Sequence, residues 1–218
     1  NLLQRTRCDY FVDTAFARCN KRRPGSGCAA REGYNRMHAI LGASPHCIAT
    51  NPSDMNVALL ALDAVINVHG ARGERRIAMA DFHRLPGDHP ERDTTLEHGE
   101  LITSVDLPKS DFADHSHYLK VRDRASYAFA LVSVAVGIST EGKTIKDARI
   151  ALGSVAHKPW LVADAKELLA GKDLSAVDLA ALGEAAVRGA QPLRDNAYKV
   201  AMTRNAVKRA VQHAMEAA

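Results

Sequence analysis

Apolar and polar positions fall into three regimes along the chain. Residues 1–53 show little period: Cys, Arg, Gly, Asn and Pro separate isolated apolar residues, and the stretch reads as structured loop. A loop this long inside a folded domain usually carries function or is disordered. The second regime starts at Pro52-Ser53-Asp54, a helix start signal, after which Val57, Leu59, Leu60, Leu62, Val65 and Ile66 fill the following turns of a buried helix. Residues 66–69 and 75–78 then read as strands around a turn at 70–73, and 81–97 as a charged, Pro-containing loop. Residues 101–107 alternate as a strand that Pro108 ends. Residues 118–122, 128–139 and 146–152 read as three more strands, the last two joined at Glu141-Gly142, which predicts an antiparallel sheet. The third regime, after Trp160, has helical spacing over 163–169, 176–187 and 198–217, all rich in Ala. Strands followed by helices predict an α+β fold, with a boundary between Pro108 and His115 that divides the chain into 1–110 and 111–218.

Composition narrows the function. The 218 residues are 46% hydrophobic and 25% charged, an ordinary globular balance that argues against disorder and coiled coil. No apolar run approaches the roughly 18–20 residues of a membrane helix. A net charge of +4 with scattered basic residues and 5% aromatics gives no nucleic-acid signature. The sequence opens at Asn1 without Met or signal-peptide pattern, so the expectation is processing or a missing beginning. Ser133, Ser139 and Ser154 lack the context of a nucleophile elbow, and the ten histidines form no metal signature.

The cysteines are the sharpest chemical feature. Cys8, Cys19, Cys28 and Cys47 all lie in the first 47 residues, with 10, 8 and 18 residues between them. Disulfides serve domains too small to build a core, which this chain is not. Zinc usually shows a Cys-x-x-Cys knuckle, which is absent here, and the spacing matches neither common ferredoxin pattern. Spacing alone therefore leaves two disulfides, buried thiols, a metal ion or an iron–sulfur cluster open. Arg5, Arg7, Arg18, Lys21, Arg22 and Arg23 surround the cysteines and would offset the negative charge of four thiolates, or simply form a solvated loop.

Long, ordered motifs carry a resemblance. They include Asn1-Leu2-Leu3-Gln4-Arg5, Cys19-Asn20-Lys21-Arg22-Arg23-Pro24-Gly25-Ser26-Gly27-Cys28, Asn35-Arg36-Met37-His38-Ala39-Ile40-Leu41-Gly42 and Cys47-Ile48-Ala49-Thr50-Asn51-Pro52-Ser53-Asp54. Asp81-Phe82-His83-Arg84-Leu85-Pro86-Gly87-Asp88, Lys120-Val121-Arg122, Gly153-Ser154-Val155-Ala156 and Asp195-Asn196-Ala197-Tyr198-Lys199 continue it over nearly the whole chain. Together they resemble the FAD-binding medium subunit of the xanthine dehydrogenase, or molybdenum hydroxylase, family, and within it the bacterial aldehyde oxidoreductase type.

The resemblance implies the C-terminal part of a vanillyl-alcohol-oxidase/PCMH-like FAD-binding domain, followed by a CO-dehydrogenase-flavoprotein-like C-terminal domain of antiparallel sheet plus helices. It implies an electron-transfer subunit that works with a molybdopterin-binding large subunit and a small subunit carrying 2Fe–2S clusters, in the periplasm or the cytoplasm. It also implies a 4Fe–4S cluster on Cys8, Cys19, Cys28 and Cys47, and flavin contacts from Asn1, Asp54, Ile102, Lys120 and Tyr127. For Asp54 the other use is a helix cap; for Ile102 and Tyr127 it is core; for Lys120 it is an exposed edge strand. The family's Gly-rich pyrophosphate segment does not occur in these residues, so poor FAD binding by this chain alone is expected. A second reading, from another class, is a flavin-free scaffold with a structural metal at the four cysteines.

Overall fold

A computed structural model describes residues 1–216. Its elements run α1 (Asp9–Val12), a 3-10 turn (Ala29–Arg31), α2 (Asp54–Ala61), β1 (Val65–Gly70), β2 (Gly73–Ala78), α3 (Met79–Phe82) and β3 (Leu101–Asp106). There follow β4 (His115–Val121), β5 (Val132–Glu141), β6 (Thr144–Gly153), β7 (Trp160–Leu161), α4 (Ala165–Leu169), a second 3-10 turn (Leu174–Ala176), α5 (Leu179–Ala186) and α6 (Tyr198–Glu216). The fold is α+β, with two antiparallel sheets of order β2-β1-β3 and β4-β5-β6-β7. No helix among the described residues is long and apolar enough to cross a membrane.

Helix α2 links the two sheets. Ser53 caps it, its hydroxyl accepting from the Asn56 amide, which frees the Asp54 side chain for other contacts. Val57, Leu60 and Ala61 of α2 share one core with Ile66 and Val68 of β1, Ile77 of β2, and Ala135 and Ala151 of the second sheet. Strand β5 makes this possible because both its faces are buried. Its Val132, Val134, Val136 and Ile138 face the α5/α6 layer, while Ser133, Ala135 and Gly137 alternate onto the other side. Small residues on the α2 side, with Ala151 and Gly153 of β6, let the helix backbone approach the sheet closely.

The long N-terminal loop packs onto the second half of the chain. Ile40 and Leu41 belong to the core formed by β5, β6 and α6, and both their amides donate to the Val155 carbonyl. Asn51 forms the turn before α2: its Oδ1 accepts from the Ser53 amide at 3.0 Å and from Asn56 Nδ2 at 3.3 Å.

Two strand readings change. The strand expected over 128–139 starts only at Val132, because the chain at Tyr127 turns into the left-handed region (φ 52°) before entering the sheet. The two-residue strand Trp160–Leu161 is too short to show a period. The helix expected over 198–217 is present as far as Glu216, and residue 217 lies outside the described residues.

Helix α6 buries Lys199, Thr203, Ala206, Val207, Ala210, Val211 and Ala214, one face at helical spacing with a lysine at its start. Lys199 Nζ has no ion-pair partner among the described residues and instead donates to the carbonyls of Met37, His38 and Ser154. Burial, with the Arg36 charge adding to it, pulls this lysine down to about 7. In the unfolded chain a lysine titrates near 10.4. Below pH 7 both states carry the proton and the buried charge lowers stability in full. Between pH 7 and about 10.4 only the unfolded state binds it, so stability rises with pH by about 1.4 kcal/mol per unit. Lys199→Met should lose this dependence and leave three carbonyls without their donor. Urea unfolding at pH 6.5 and 9.5 checks it: the gap between wild type and variant widens in favour of wild type at the higher pH. Parallel pH profiles for the two proteins would contradict the assignment.

Candidate functional site

The four cysteines meet although no local motif joins them. Cys19 and Cys28 face each other across an antiparallel bridge, the Asn20 amide donates to the Gly27 carbonyl at 2.8 Å, and Gly25 and Gly27 take the positive φ the tight loop needs. The Arg22 guanidinium binds the carbonyls of Tyr10, Phe11, Asp13 and Phe16, wrapping the segment after Cys8 around the hairpin. The Ala39 amide donates to the Ile48 carbonyl and brings Cys47 to the same place. All four thiols are free and line one cavity with Thr6, Tyr10 and Phe11.

Burial pushes the Cys8 thiol up to about 12 and Cys47 up to about 11, and raises Cys28 as well, with neighbouring thiols adding to the effect. On their own these thiols are neutral; a bound cation converts such groups to thiolates. Among the described residues no group of three or more His, Cys, Asp or Glu is arranged around a single metal ion. Four free thiols lining one cavity are a donor set that an iron–sulfur cluster or a tetrahedral metal ion can use. The surrounding basic residues divide their roles. Arg5 binds Asp93 at 2.6 Å, Arg18 binds Glu32 at 2.7 Å, and Arg22 holds carbonyls. Lys21 alone of these three neighbours' stretch has a fully buried ammonium, bonded to the Pro90 carbonyl and Asp93, and its charge acts on Cys47.

A second cavity, of about 790 Å³, lies beside the first site and is lined by Asn1, Arg7, Asp54, Lys120, Arg124 and Tyr127 among others. Four of the five expected flavin contacts, Asn1, Asp54, Lys120 and Tyr127, thus meet in one place. Asp54 is held there by two partners from β4: Lys120 Nζ at 2.7 Å and the Tyr118 hydroxyl, which donates to Oδ1 at 2.8 Å. The Tyr118 oxygen is also 3.0 Å from Ser133 Oγ, and burial pushes Tyr118 well above its usual range. The alternative use of Asp54 as a helix cap does not apply, since Ser53 fills that role. Lys120 is not a free edge lysine but half-buried and paired. Tyr127 is 93% exposed over the cavity, so it is not core; its strained φ of 52° is held by Arg124, whose guanidinium binds the Tyr127 carbonyl. Ile102 does not line the cavity: it sits in β3, half-buried against the α2 core.

A cavity with an ordered Asp–Lys pair, a Tyr hydroxyl and an exposed aromatic ring offers acceptor, cation and stacking surface, which suits the ring and hydroxyls of a flavin. A third cavity, of about 350 Å³, joins the two sites; Arg7, Arg124, Ala128 and Phe129 line it and the flavin-type cavity, and Cys8 lines it and the thiol cavity. Sequence reading missed Tyr118 and Ser133, which lack any motif, and His38, which reads as one loop histidine among several but is 5% exposed with Nε2 3.1 Å from Cys8 Sγ. His83, His115 and His157 are buried as well.

Residues 36–110 match the FAD binding domain in molybdopterin dehydrogenase, and residues 117–214 match the CO dehydrogenase flavoprotein C-terminal domain. The FAD-binding subunit of an aldehyde oxidoreductase from Escherichia coli is 56% identical over 163 residues, 74% of this chain and 49% of that subunit. The chain thus spans about half the length of this curated relative. Among solved structures, CO dehydrogenase from Oligotropha carboxidovorans superposes with a TM-score of 0.67 at 25% identity, over 76% of this chain and 57% of that one. Quinoline 2-oxidoreductase from Pseudomonas putida 86 superposes with a TM-score of 0.62 at 26% identity, over 97% of this chain and 72% of that one. With its two halves matching the two domains in order, the chain belongs to the FAD-binding medium subunits of the molybdenum hydroxylase family.

Proposed function

We propose that this chain serves as an electron-transfer subunit holding both FAD and a 4Fe–4S cluster in a molybdenum hydroxylase of the aldehyde oxidoreductase type. The observation that carries the reading is the convergence of four free thiols on one cavity next to the cavity of Asp54, Lys120 and Tyr127. When bound, the two groups supply one- and two-electron redox capacity between a molybdopterin-containing partner with its 2Fe–2S subunit and an external acceptor. Cys8, Cys19, Cys28 and Cys47 would hold the cluster as thiolates, and the buried Lys21 ammonium would offset part of their charge. Asp54 fixes Lys120 and would accept hydrogen bonds from the flavin, and the Lys120 cation would favour the electron-rich reduced ring. Tyr127 and Asn1, which line the same cavity, would cover and border the ring. The medium-subunit relatives support the assembly, and the aldehyde oxidoreductase relative supports an aldehyde as the substrate oxidised on the partner.

Iron and acid-labile sulfide analysis of the isolated complex tests the cluster directly. Iron and sulfide in equal amounts, about four of each for this subunit, are expected, together with flavin absorption and a broad brown shoulder. Replacing Cys19 or Cys47 by serine should remove this iron while partner clusters remain. Zinc in place of iron, or Cys–Cys disulfides by mass spectrometry, would refute the cluster. A complex whose medium subunit is colourless would favour the flavin-free scaffold.

A further inference from the structure

His38 is buried beside Cys8 and is held there from two sides. Its amide donates to the Asn35 carbonyl at 3.1 Å. Its own carbonyl accepts from Asn196 Nδ2 at 3.2 Å and Lys199 Nζ at 3.1 Å, both from the segment that opens α6. The ring packs against Tyr10 and brings Nε2 to 3.1 Å from Cys8 Sγ. The other nitrogen, Nδ1, is buried with no partner among the described residues. A buried ring with one unpartnered nitrogen and one at hydrogen-bond distance of sulfur has a single place to spend a proton. A Cys8 thiolate bound to a cluster has none to give, so in the loaded protein Nε2 is the donor.

Cys8 also differs from the other three cysteines in position, because it alone lines both the thiol cavity and the cavity that joins it to the flavin site, where His38 stands as well. We propose that His38 is a positioning residue whose Nε2–H···Sγ hydrogen bond to Cys8 raises the reduction potential of the iron–sulfur cluster on its flavin-facing side. The inference rests on the cluster reading given above. One-electron reduction adds a negative charge that spreads onto the ligand sulfurs. A hydrogen bond to sulfur therefore strengthens on reduction and favours the reduced form. Histidine supplies this bond from a rigid ring, and the Lys199 and Asn196 contacts fix the backbone that carries it.

An EPR-monitored redox titration of the intact complex tests the proposal, with iron and sulfide measured on every sample. His38→Leu should keep its iron and shift the reduced-to-oxidised ratio of this cluster about tenfold toward the oxidised form, a midpoint ~59 mV lower for one electron. His38→Gln, which retains an N–H, should move it less. A merely structural histidine would alter cluster content without moving the midpoint of the clusters that remain. Full iron and an unchanged midpoint in His38→Leu overturn the proposal. If His38→Leu takes up no iron, pulsed EPR of the reduced wild-type complex carrying 15N-histidine decides. A nitrogen coupling that disappears in His38→Gln supports the bond, and its absence in wild type overturns it. Wild-type complex without iron and sulfide in this subunit would remove the cluster reading itself, and this inference with it.

Discussion

Gly153→Val is expected to destabilise the protein by about 3 kcal/mol, the upper part of the range for overpacking a filled core. Gly153 ends β6 opposite Ser133 of β5, and its backbone is in the ordinary strand region, so valine meets no backbone penalty there. The cost is steric. A Cβ at this position would stand 2.6 Å from Val57 Cγ2 of α2 and in collision with Ser133 Oγ. Neither neighbour has room to give: Val57 is 1% exposed and Ser133 is 1% exposed. Displacing Val57 lifts α2 off the second sheet, and displacing Ser133 disturbs the Tyr118 oxygen that also holds Asp54. Stability and flavin content should therefore fall together. Urea unfolding gives the first and absorbance of the purified complex the second. Gly153→Ala in a Val57→Ala background should recover part of the loss, because the two changes compensate in volume and so are not additive. A Gly153→Val protein with the wild-type midpoint would show that α2 is not seated against β6 as described.

Much of this arrangement was legible in the sequence, and what was not has physical reasons. The start of α2 at Ser53-Asp54 and the end of β3 before Pro108 follow from caps and from the missing proline N–H, both local effects. The first residues of the 128–139 run were misassigned because Ala128 and Phe129 are apolar for a different purpose: they line a cavity before the chain enters β5. Apolarity alone does not separate a pocket wall from a strand. The cysteine site was readable only through the long motifs, since intervals of 10, 8 and 18 residues carry no ligand geometry; the hairpin of Cys19 and Cys28 and the Ala39–Ile48 pairing create it in space. Lys199 did leave a signal. It stands in the same helical stripe as Thr203, Ala206, Val207 and Ala210, and a lysine on an apolar stripe is a buried lysine unless its stem reaches solvent. The contact of Lys120 with Asp54 joins positions 66 apart, one in β4 and one at the start of α2, and has no local trace. Read separately, the two residues invite separate roles, one in retention and one in redox tuning. Their pairing changes that expectation.

In the intact complex, Asp54→Ala and Lys120→Met should each alter the flavin, and in opposite directions on the potential. Asp54→Ala removes an ionic acceptor worth roughly 1.5–3 kcal/mol, so FAD retention should weaken by about one to two decades. The same change strips Lys120 of its carboxylate partner, which lies 2.7 Å away. The uncompensated ammonium then acts more strongly on the reduced ring, and the flavin midpoint should rise in whatever fraction keeps its FAD. Lys120→Met removes the cation and should lower the midpoint with a smaller loss of FAD; Asp54 keeps its bond from the Tyr118 hydroxyl and stays in place. The double variant separates this coupling from two independent effects. If Asp54 acts on the ring only by neutralising and positioning the Lys120 ammonium, the midpoint of Asp54→Ala with Lys120→Met should equal that of Lys120→Met alone. If the two residues act independently, the shifts should add. Spectroelectrochemical titration of the four proteins at equal flavin loading reads the difference. A wild-type midpoint in Lys120→Met with full FAD content would take the lysine out of the flavin site and leave its bond to Asp54 as a brace between β4 and α2.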